Sequence, residues 1–152
     1  MRRLFVVVVV LGASLMVFAG SASAGDNFAA PMSGDEEVPP VDTQATGVAT
    51  FKLRAEGLAF KVNVANIDNV IAAHIHCGAV GVNGPVGVTL FSGGPETVNG
   101  TLAEGVITAP DLGNACGWTD LAVVVAALEG GDTYVNVHTT AHPGGEIRGQ
   151  VR

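Results

Sequence analysis

A regular alternation of apolar and polar residues constrains the fold of this chain most strongly. Between residues 47 and 54 every second side chain is apolar, and the same period returns between residues 58 and 64. A period of two is typical of a half-buried β-strand, because successive side chains point to opposite faces. The dipeptide Glu56-Gly57 separates the two stretches and is typical of a hairpin turn. The pair therefore predicts an antiparallel hairpin with one buried face.

Short apolar stretches separated by turn residues continue along the chain. They predict a first edge strand over 26–33, turns at 66–69 and 78–87, and strands over 70–77, 88–91, 97–108, 134–140 and 146–151. A short helix is predicted over 121–128, between the N-cap-like Thr119-Asp120 and Gly130-Gly131, although the valines at 123–125 leave a strand open. Regularly spaced short strands predict an all-β protein, an antiparallel Greek-key sandwich or barrel with one short helix.

The first 24 residues have the pattern of a secretory signal peptide. Arg2 and Arg3 precede an almost uninterrupted apolar run over 4–18, and Ala22-Ser23-Ala24 offers small residues for cleavage after Ala24. The apolar run is shorter than the roughly 20 residues of a membrane-spanning helix. We therefore predict an exported protein, which is secreted, periplasmic or held at the cell surface, without stable membrane insertion after cleavage.

The remaining chain, residues 25–152, is long enough for one small domain. It carries fourteen acidic side chains against five basic ones, a balance of −9. Such a balance argues against nucleic acid and anionic membrane surfaces as partners. The run Asp35-Glu36-Glu37 is interpreted as a solvated loop.

Cys77 and Cys116 are the only cysteines of the chain. In an oxidising compartment, an isolated pair of this kind predicts one disulfide bond. Closing the loop between them would stabilise the fold by about 4 kcal/mol in the chain-entropy model.

The four histidines fall into two short segments. His74 and His76 lie two residues apart on a predicted strand, whose other face carries Ile75 and Cys77, so both imidazoles project from the same face. His138 and His142 lie in the second segment, where Asn136 and His138 share one face of the predicted strand 134–140. Any chemistry of the chain is expected at these two segments.

Four segments, taken in order, resemble a known family. They are Gly34-x-x-Glu37-Val-Pro-Pro-Val41, then Ala73-His-Ile-His76-x-Gly78 with Asn83-Gly-Pro-Val86, then Tyr134-Val-Asn-Val-His138-Thr, and Gly145-Glu-Ile-Arg-Gly-Gln-Val151. Together they resemble the CHRD domain, which is named for its repeats in chordin and also occurs alone in exported bacterial proteins. The resemblance implies an immunoglobulin-like or Greek-key β-barrel. It implies no single activity, since chordin binds growth factors outside cells and bacterial members are largely uncharacterised.

The histidines support a metal-binding hypothesis. His74 and His76 are expected to ligate one ion together with His138 from a neighbouring strand, and His142 is a candidate fourth ligand if the turn at Pro143 folds back. Three or four imidazoles suit copper(II) or zinc(II). Asn136, Glu146 and Arg148 are expected to support the ligands from the surrounding shell. His74, His76, His138, Glu146 and Arg148 match the family pattern, whereas His142 falls where that pattern varies.

The arrangement also resembles copper–zinc superoxide dismutase, a Greek-key barrel with a His-x-His strand, a later copper-ligating histidine, an intrachain disulfide and an arginine near the metal. The corresponding residues here are His74, His76, His138, Cys77, Cys116 and Arg148. A zinc loop with further histidines is missing from the sequence, which argues against a second metal. This analogy concerns architecture, and architecture alone does not establish function.

Two other interpretations compete with metal binding. The histidines, with Asn136, Thr139 and Glu146, are equally suited to a hydrogen-bonded network that fixes the loop 78–87. Glu146 and Arg148 on one strand face are more often a surface ion pair than an acid–base pair. We therefore predict a non-enzymatic binding protein whose partner is copper, zinc or an extracellular protein. The alternatives are a copper oxidoreductase acting on superoxide, with Arg148 steering the anion, and an extracellular protein-interaction module.

Overall fold

A computed structural model of the protein describes residues 27–152. The predicted signal peptide, residues 1–24, lies outside the described residues. The elements in chain order are β1 (Asn27–Ser33), a 3-10 turn (Gly34–Glu36), β2 (Thr46–Arg54), β3 (Gly57–Cys77), β4 (Val86–Ile107), α1 (Leu121–Glu129), β5 (Thr133–Thr139) and β6 (Ile147–Gln150).

The strands close into an antiparallel barrel. Five strands follow one another in the order β2-β1-β6-β5-β3, and β3 pairs again with β2. These five strands therefore form a closed ring. β4 lies outside the ring as an extra strand against β3. The ring can close because β3 is 21 residues long: its first part pairs with β2 and its last part with β5. The prediction of an all-β antiparallel barrel with one short helix is confirmed.

The strands β3 and β4 are longer than the sequence pattern predicts. A turn was expected at 66–69, but β3 runs through this segment, and Asn66 and Asn69 each adopt a φ of 54° within it. Asparagine tolerates this left-handed conformation, so the strand bends without ending. Side chains of β4 complete the bend, since Asn99 accepts a hydrogen bond from the backbone N–H of Asn66 at 2.8 Å. The predicted strands 88–91 and 97–108 are likewise joined in β4.

β1 is not the edge strand that the sequence suggested. β2 pairs with one side of β1 over its whole length, and β6 and the residues after it pair with the other side. Ala29 and Arg152 exchange both backbone hydrogen bonds, at 2.8 and 2.9 Å. Closure of the ring by the last strand therefore removes the exposed edge.

The alternating apolar residues fill the barrel, as predicted. Phe51, Leu58, Val62 and Ile75 are among the buried core side chains. The helix α1 contributes Val124, Val125 and Leu128 to the same core. Its N-cap is Asp120, whose carboxylate accepts a hydrogen bond from the backbone N–H of Val123 at 3.1 Å, which confirms the predicted helix start.

A disulfide bond ties the end of β3 to the segment that precedes α1. It joins Cys77 and Cys116, as the sequence predicted. Trp118, close by, packs directly on the backbone of Gly87, where a Cβ atom would collide with the indole ring. The segment 108–118 is therefore fixed against β3 and β4. Within residues 27–152, no helix is long and apolar enough to cross a membrane.

Candidate metal centre

The outer faces of β3 and β5 bring three histidines together. In β3, Ala73 and Ile75 point into the core and are fully buried, so His74 and His76 project from the opposite face. In the paired strand β5, His138 lies opposite Ala72, close to His74 in the register. Alternation along each strand and the antiparallel register between them therefore place the three imidazoles side by side.

The three rings are in contact with one another. One ring nitrogen of each, from His74, His76 and His138, lies within 4.8 Å of the corresponding nitrogen of the other two. The Nδ1 atom of His74 is 3.0 Å from Nε2 of His138. His76 and His138 are less than a tenth exposed, whereas His74 is half-buried. The cluster is therefore reached from the side of His74.

Backbone carbonyl groups determine which nitrogen of two rings is protonated. Nδ1 of His76 lies 2.9 Å from the carbonyl oxygen of Gly84, and Nδ1 of His138 lies 2.9 Å from that of Pro143. A carbonyl oxygen only accepts, so both Nδ1 atoms must donate. In a neutral ring the Nε2 atom then carries the lone pair. Nε2 of His138 accepts from Nδ1 of His74, and Nε2 of His76 is buried without a hydrogen-bond partner among the described residues.

Burial keeps the three rings neutral. Burial first, and then the repulsion that charged His138 and His76 would exert, together lower the pKa of His74 from 6.5 to about 4, against the opposing effect of Asp111. Burial also lowers the pKa values of His76 and His138, against the opposing effect of the carbonyl hydrogen bonds. Lone pairs are thus available at neutral pH, as a transition metal requires.

The residues present fit a metal ion. Two nitrogens bound at about 2.1 Å to one ion lie at most about 4.2 Å apart, so small changes of ring orientation bring all three into range. The hydrogen bond between His74 and His138 would be replaced by bonds to the ion. Nδ1–H groups held by backbone carbonyls are also the usual support of metal-bound imidazole. Bound there, copper or zinc would supply a positive, Lewis-acidic centre.

An aromatic and cationic stack supports His76 from β5 and β6. The ring of Tyr134 is parallel to that of His76, with centroids 4.7 Å apart, and the guanidinium carbon of Arg148 lies 3.5 Å from the centroid of Tyr134. Arg148 is only 2 % exposed. It donates to Oδ1 of Asn83 at 2.8 Å and to the carbonyl of Val82 at 2.9 Å. Arg148 therefore holds the loop 78–85 over the site.

Glu37 is a buried carboxyl group beside this stack. It is 6 % exposed, and its Oε1 atom accepts a hydrogen bond from the side-chain amide of Asn136 at 2.7 Å. Burial raises the pKa of Glu37 to about 7, although the charge of Arg148 opposes the shift. The interpretation of 35–37 as a solvated loop is therefore wrong for Glu37, while Asp35 and Glu36 are exposed. The segment 34–41 folds back over β5 and carries Glu37 with it.

The comparison with protein families now identifies the fold. The family model described as CHRD domain matches residues 28–151. The chain belongs to the CHRD-domain family. Comparison with curated proteins and with solved structures gives no significant match. The strands and loops that build the histidine cluster all lie within the matched part of this CHRD domain.

The remaining predicted site residues of the CHRD domain take different positions. His142 is not part of the histidine cluster within residues 27–152; its backbone N–H donates to Oγ1 of Thr139. Glu146 accepts hydrogen bonds from Thr43 at 2.8 Å and from Thr139 at 2.7 Å. The expected surface ion pair of Glu146 and Arg148 is wrong for the described chain, because both side chains are buried and each has other partners.

Sequence reasoning missed three groups of the CHRD domain site. Tyr134 shares a strand face with Asn136 and His138, so alternation was sufficient to predict its position. Glu37 lies in the family-like segment 34–41, which was the available sign that it is not an ordinary loop residue. The roles of the Gly84 and Pro143 carbonyl groups could not be predicted from the sequence, because every residue has a backbone carbonyl group.

Proposed function

We propose that this exported CHRD domain binds a transition-metal ion, copper or zinc, through His74, His76 and His138. The observation that carries the proposal is the Nε2 atom of His76. It is buried, it bears the lone pair of its ring, and no described protein group donates to it. A buried acceptor without a donor costs about 1–3 kcal/mol, and a metal ion at this position would satisfy it.

A purely structural role of the histidines explains part of the geometry. The hydrogen bond of His76 to Gly84 helps to hold the loop, and that of His138 to Pro143 holds the turn before β6. These bonds use only the Nδ1 atoms. They do not account for the gathering of three imidazoles, with one ring nitrogen of each within 4.8 Å of the other two. A metal ion accounts for both sets of atoms, since the carbonyls orient the rings and the ion joins them.

The donor set favours copper(II) and permits zinc(II). The three candidate ligands are imidazole nitrogens, which suit both ions, and copper(II) binds such sites more tightly than zinc(II). Cys77 is engaged in the disulfide, and thus a thiolate does not compete for the ion. Three protein ligands leave room for a further ligand on the half-exposed side of His74.

Titration of the processed chain, residues 25–152 with its disulfide intact, with copper(II) and zinc(II) tests the proposal. We expect one-to-one binding in the wild type, and its loss in the double variant His74→Ala/His76→Ala. The matched control is His142→Ala, which removes a nearby imidazole outside the cluster and should leave the affinity within about a factor of three, because it breaks no contact of the three rings.

The outcomes separate the two roles of the histidines. Tight binding that disappears only in the double variant, while that variant still folds, supports the metal site. A wild type that binds neither ion, together with a strongly lowered melting temperature of the double variant, would contradict the proposal and make the histidines structural. Equal loss in the double variant and in His142→Ala would also contradict the ligand set named here.

A copper oxidoreductase acting on a small oxidant such as superoxide is the second candidate. The half-exposed side of His74 favours it, because a small molecule can reach the cluster there. Arg148 does not favour it, since its guanidinium is buried and bound to the loop. Measurement of superoxide turnover by the copper-loaded domain, with free copper removed, distinguishes this candidate from simple metal binding.

A further inference from the structure

We propose that the outer face of the sheet β1–β4 is a second binding site, and that its ligand is an acidic polysaccharide. This face shares no residue with the histidine cluster, and on β3 twelve residues lie between Lys61 and His74. An open groove of about 890 Å³ crosses the face. The proposal is independent of metal binding.

The groove collects nearly all the positive charge of the domain. Residues 25–152 contain five basic side chains, and all except Arg148 line this one groove: Lys52, Arg54, Lys61 and Arg152. The rest of the domain is strongly acidic. Four cations on one face of a chain with a balance of −9 are not expected from a random distribution, and they make this face complementary to an anionic partner.

The strand register arranges the cations around a floor of small residues. Arg152, Ala29, Thr50 and Lys61 are successive neighbours across the strands. The adjoining row is Asn27, Lys52, Ala59 and Val106. Neighbouring strands lie about 4.8 Å apart, so Arg152 and Lys61 are separated by about 14 Å, with the half-buried Ala29 and the exposed Thr50 between them. An extended chain can lie across such a floor.

The groups along the groove favour a polymer that combines carboxylates with hydroxyl groups. Glu56 and Glu104 also line the groove, where they pair with Arg54 at 4.0 Å and with Lys61 at 3.0 Å. Lys52 and Arg152 form no ion pair within the described range. Two free cations, together with carboxylate, amide and hydroxyl groups that bond to hydroxyls, suit a sugar chain that carries carboxylates among its hydroxyl groups. A single-stranded nucleic acid would need several exposed aromatic rings for its bases, whereas Phe28 and Phe51 are buried and Phe60 is half-buried.

Calorimetric titration of the metal-free processed chain with alginate, a polymer of uronic acids, tests the proposal at low ionic strength. The test variant is Lys52→Gln/Arg152→Gln, which removes two exposed cations that hold no other side chain. The matched control is Ala122→Glu/Ala126→Glu, which changes the net charge equally on the exposed face of α1. Glutamate is nearly as good a helix former as alanine, so the control should fold.

We expect alginate to bind the wild type and neutral dextran not to bind. The affinity for alginate should fall about tenfold in the test variant and remain nearly unchanged in the control, since each exposed contact contributes modestly. His74→Ala/His76→Ala should bind alginate like the wild type, which separates this site from the metal centre. Lys52→Gln alone serves as a second test variant, with a smaller loss, if the double variant folds poorly.

Four results would overturn the proposal. The first is no binding of alginate to the wild type. The second is equal affinity of the wild type and the test variant, which would place the polymer elsewhere on the domain. The third is an equal decrease in the test variant and in the α1 control, which would mean that only the net charge matters. Loss of alginate binding in the histidine variant alone would assign the polymer to the metal centre and overturn the second site.

Discussion

At the residue scale, burial raises the pKa of the Glu37 carboxyl group. Its neighbour Glu36 is exposed, whereas the side chain of Glu37 is buried against Asn136. The pKa of Glu37 rises from 4.5 to about 7 because burial disfavours the charged form. The folded protein therefore keeps this proton in a pH range where the unfolded chain has already lost it.

The variant Glu37→Gln should isolate this effect. The contribution of Glu37 to the free energy of unfolding is complete below pH 4.5 and is lost as the pH rises through about 7. Glutamine stays neutral, so the difference in unfolding free energy, variant minus wild type, should increase by about 1–2 kcal/mol across this range, with solvent screening allowed for. Denaturant unfolding below pH 4.5 and above pH 7 measures it.

Glu36→Gln is the control for this prediction. Its side chain is exposed, and the difference between this variant and the wild type should not depend on pH in the same direction. A flat difference for Glu37→Gln would mean that Glu37 titrates like an ordinary surface carboxyl group. The histidines also contribute to the pH dependence of the wild type, but they cancel in the difference between variants.

Residue type and alternation predicted much of the candidate site. They correctly placed His74, His76 and Asn136 on outer strand faces, because a strand has only two faces. They did not predict the protonation of the rings, which depends on carbonyl oxygens of Gly84 and Pro143 brought close by tertiary structure. Nor did they predict the burial of Glu37. A short acidic run has the same sequence whether it is solvated or packs on a strand.

At the scale of elements, the loop 78–85 depends on a single side chain of β6. Arg148 reaches the loop with both terminal nitrogens and packs on Tyr134 at the same time. Gly84, which orients His76, lies in this loop. Arg148 therefore helps to fix the position of the loop and, through Gly84, the orientation of His76 in the candidate metal centre.

Arg148→Lys should loosen the loop and weaken metal binding. A lysine ammonium lacks the planar guanidinium that stacks on Tyr134 while it donates to the loop. We therefore expect a loss of about 2 kcal/mol in unfolding free energy. Amide hydrogen exchange between residues 79 and 84 should accelerate, and the copper affinity should decrease. The control is Arg152→Lys, an exposed arginine. Unchanged exchange in the loop would contradict the anchoring role of Arg148.

The disulfide should contribute most of the order in the segment 108–118. Cys77 and Cys116 are 39 residues apart, and their bond restricts a loop of that length in the unfolded chain. Cys77→Ala/Cys116→Ala should lower the unfolding free energy by about 4 kcal/mol, measured by denaturant unfolding. Reduction of the wild type should give a similar decrease. A loss below about 1 kcal/mol would mean that packing of Trp118 on Gly87 suffices.

Strand boundaries were the weaker part of the sequence prediction. The pattern at 66–69 is typical of a turn, yet Asn66 and Asn69 bend β3 without ending it. Partners on β4 decide this outcome, because they complete the hydrogen bonds of the bend. Local sequence does not contain that information. The start of α1 was predictable, since Asp120 caps it from within the same segment.

At the scale of the whole molecule, the candidate metal centre lies on the outside of the barrel and is nevertheless buried. β5 is buried on both faces, because its inner face meets the core and segments distant in sequence cover its outer face. Glu37 comes from the segment after β1, Gly84 from the loop after β3, and Pro143 from the turn before β6. Ring closure of the barrel brings these segments together, which explains why no single stretch of sequence revealed the site.

The central claim is that His74, His76 and His138 bind one metal ion, and anomalous diffraction from crystals of residues 25–152 grown with copper(II) tests it most directly. We predict one strong peak about 2.1 Å from Nε2 of His76 and Nε2 of His138, with a ring nitrogen of His74 completing the set. Data from His142→Ala crystals should show the same peak. A histidine cluster without a peak, at copper concentrations that saturate the protein in solution, would contradict the account and locate copper binding elsewhere on the domain.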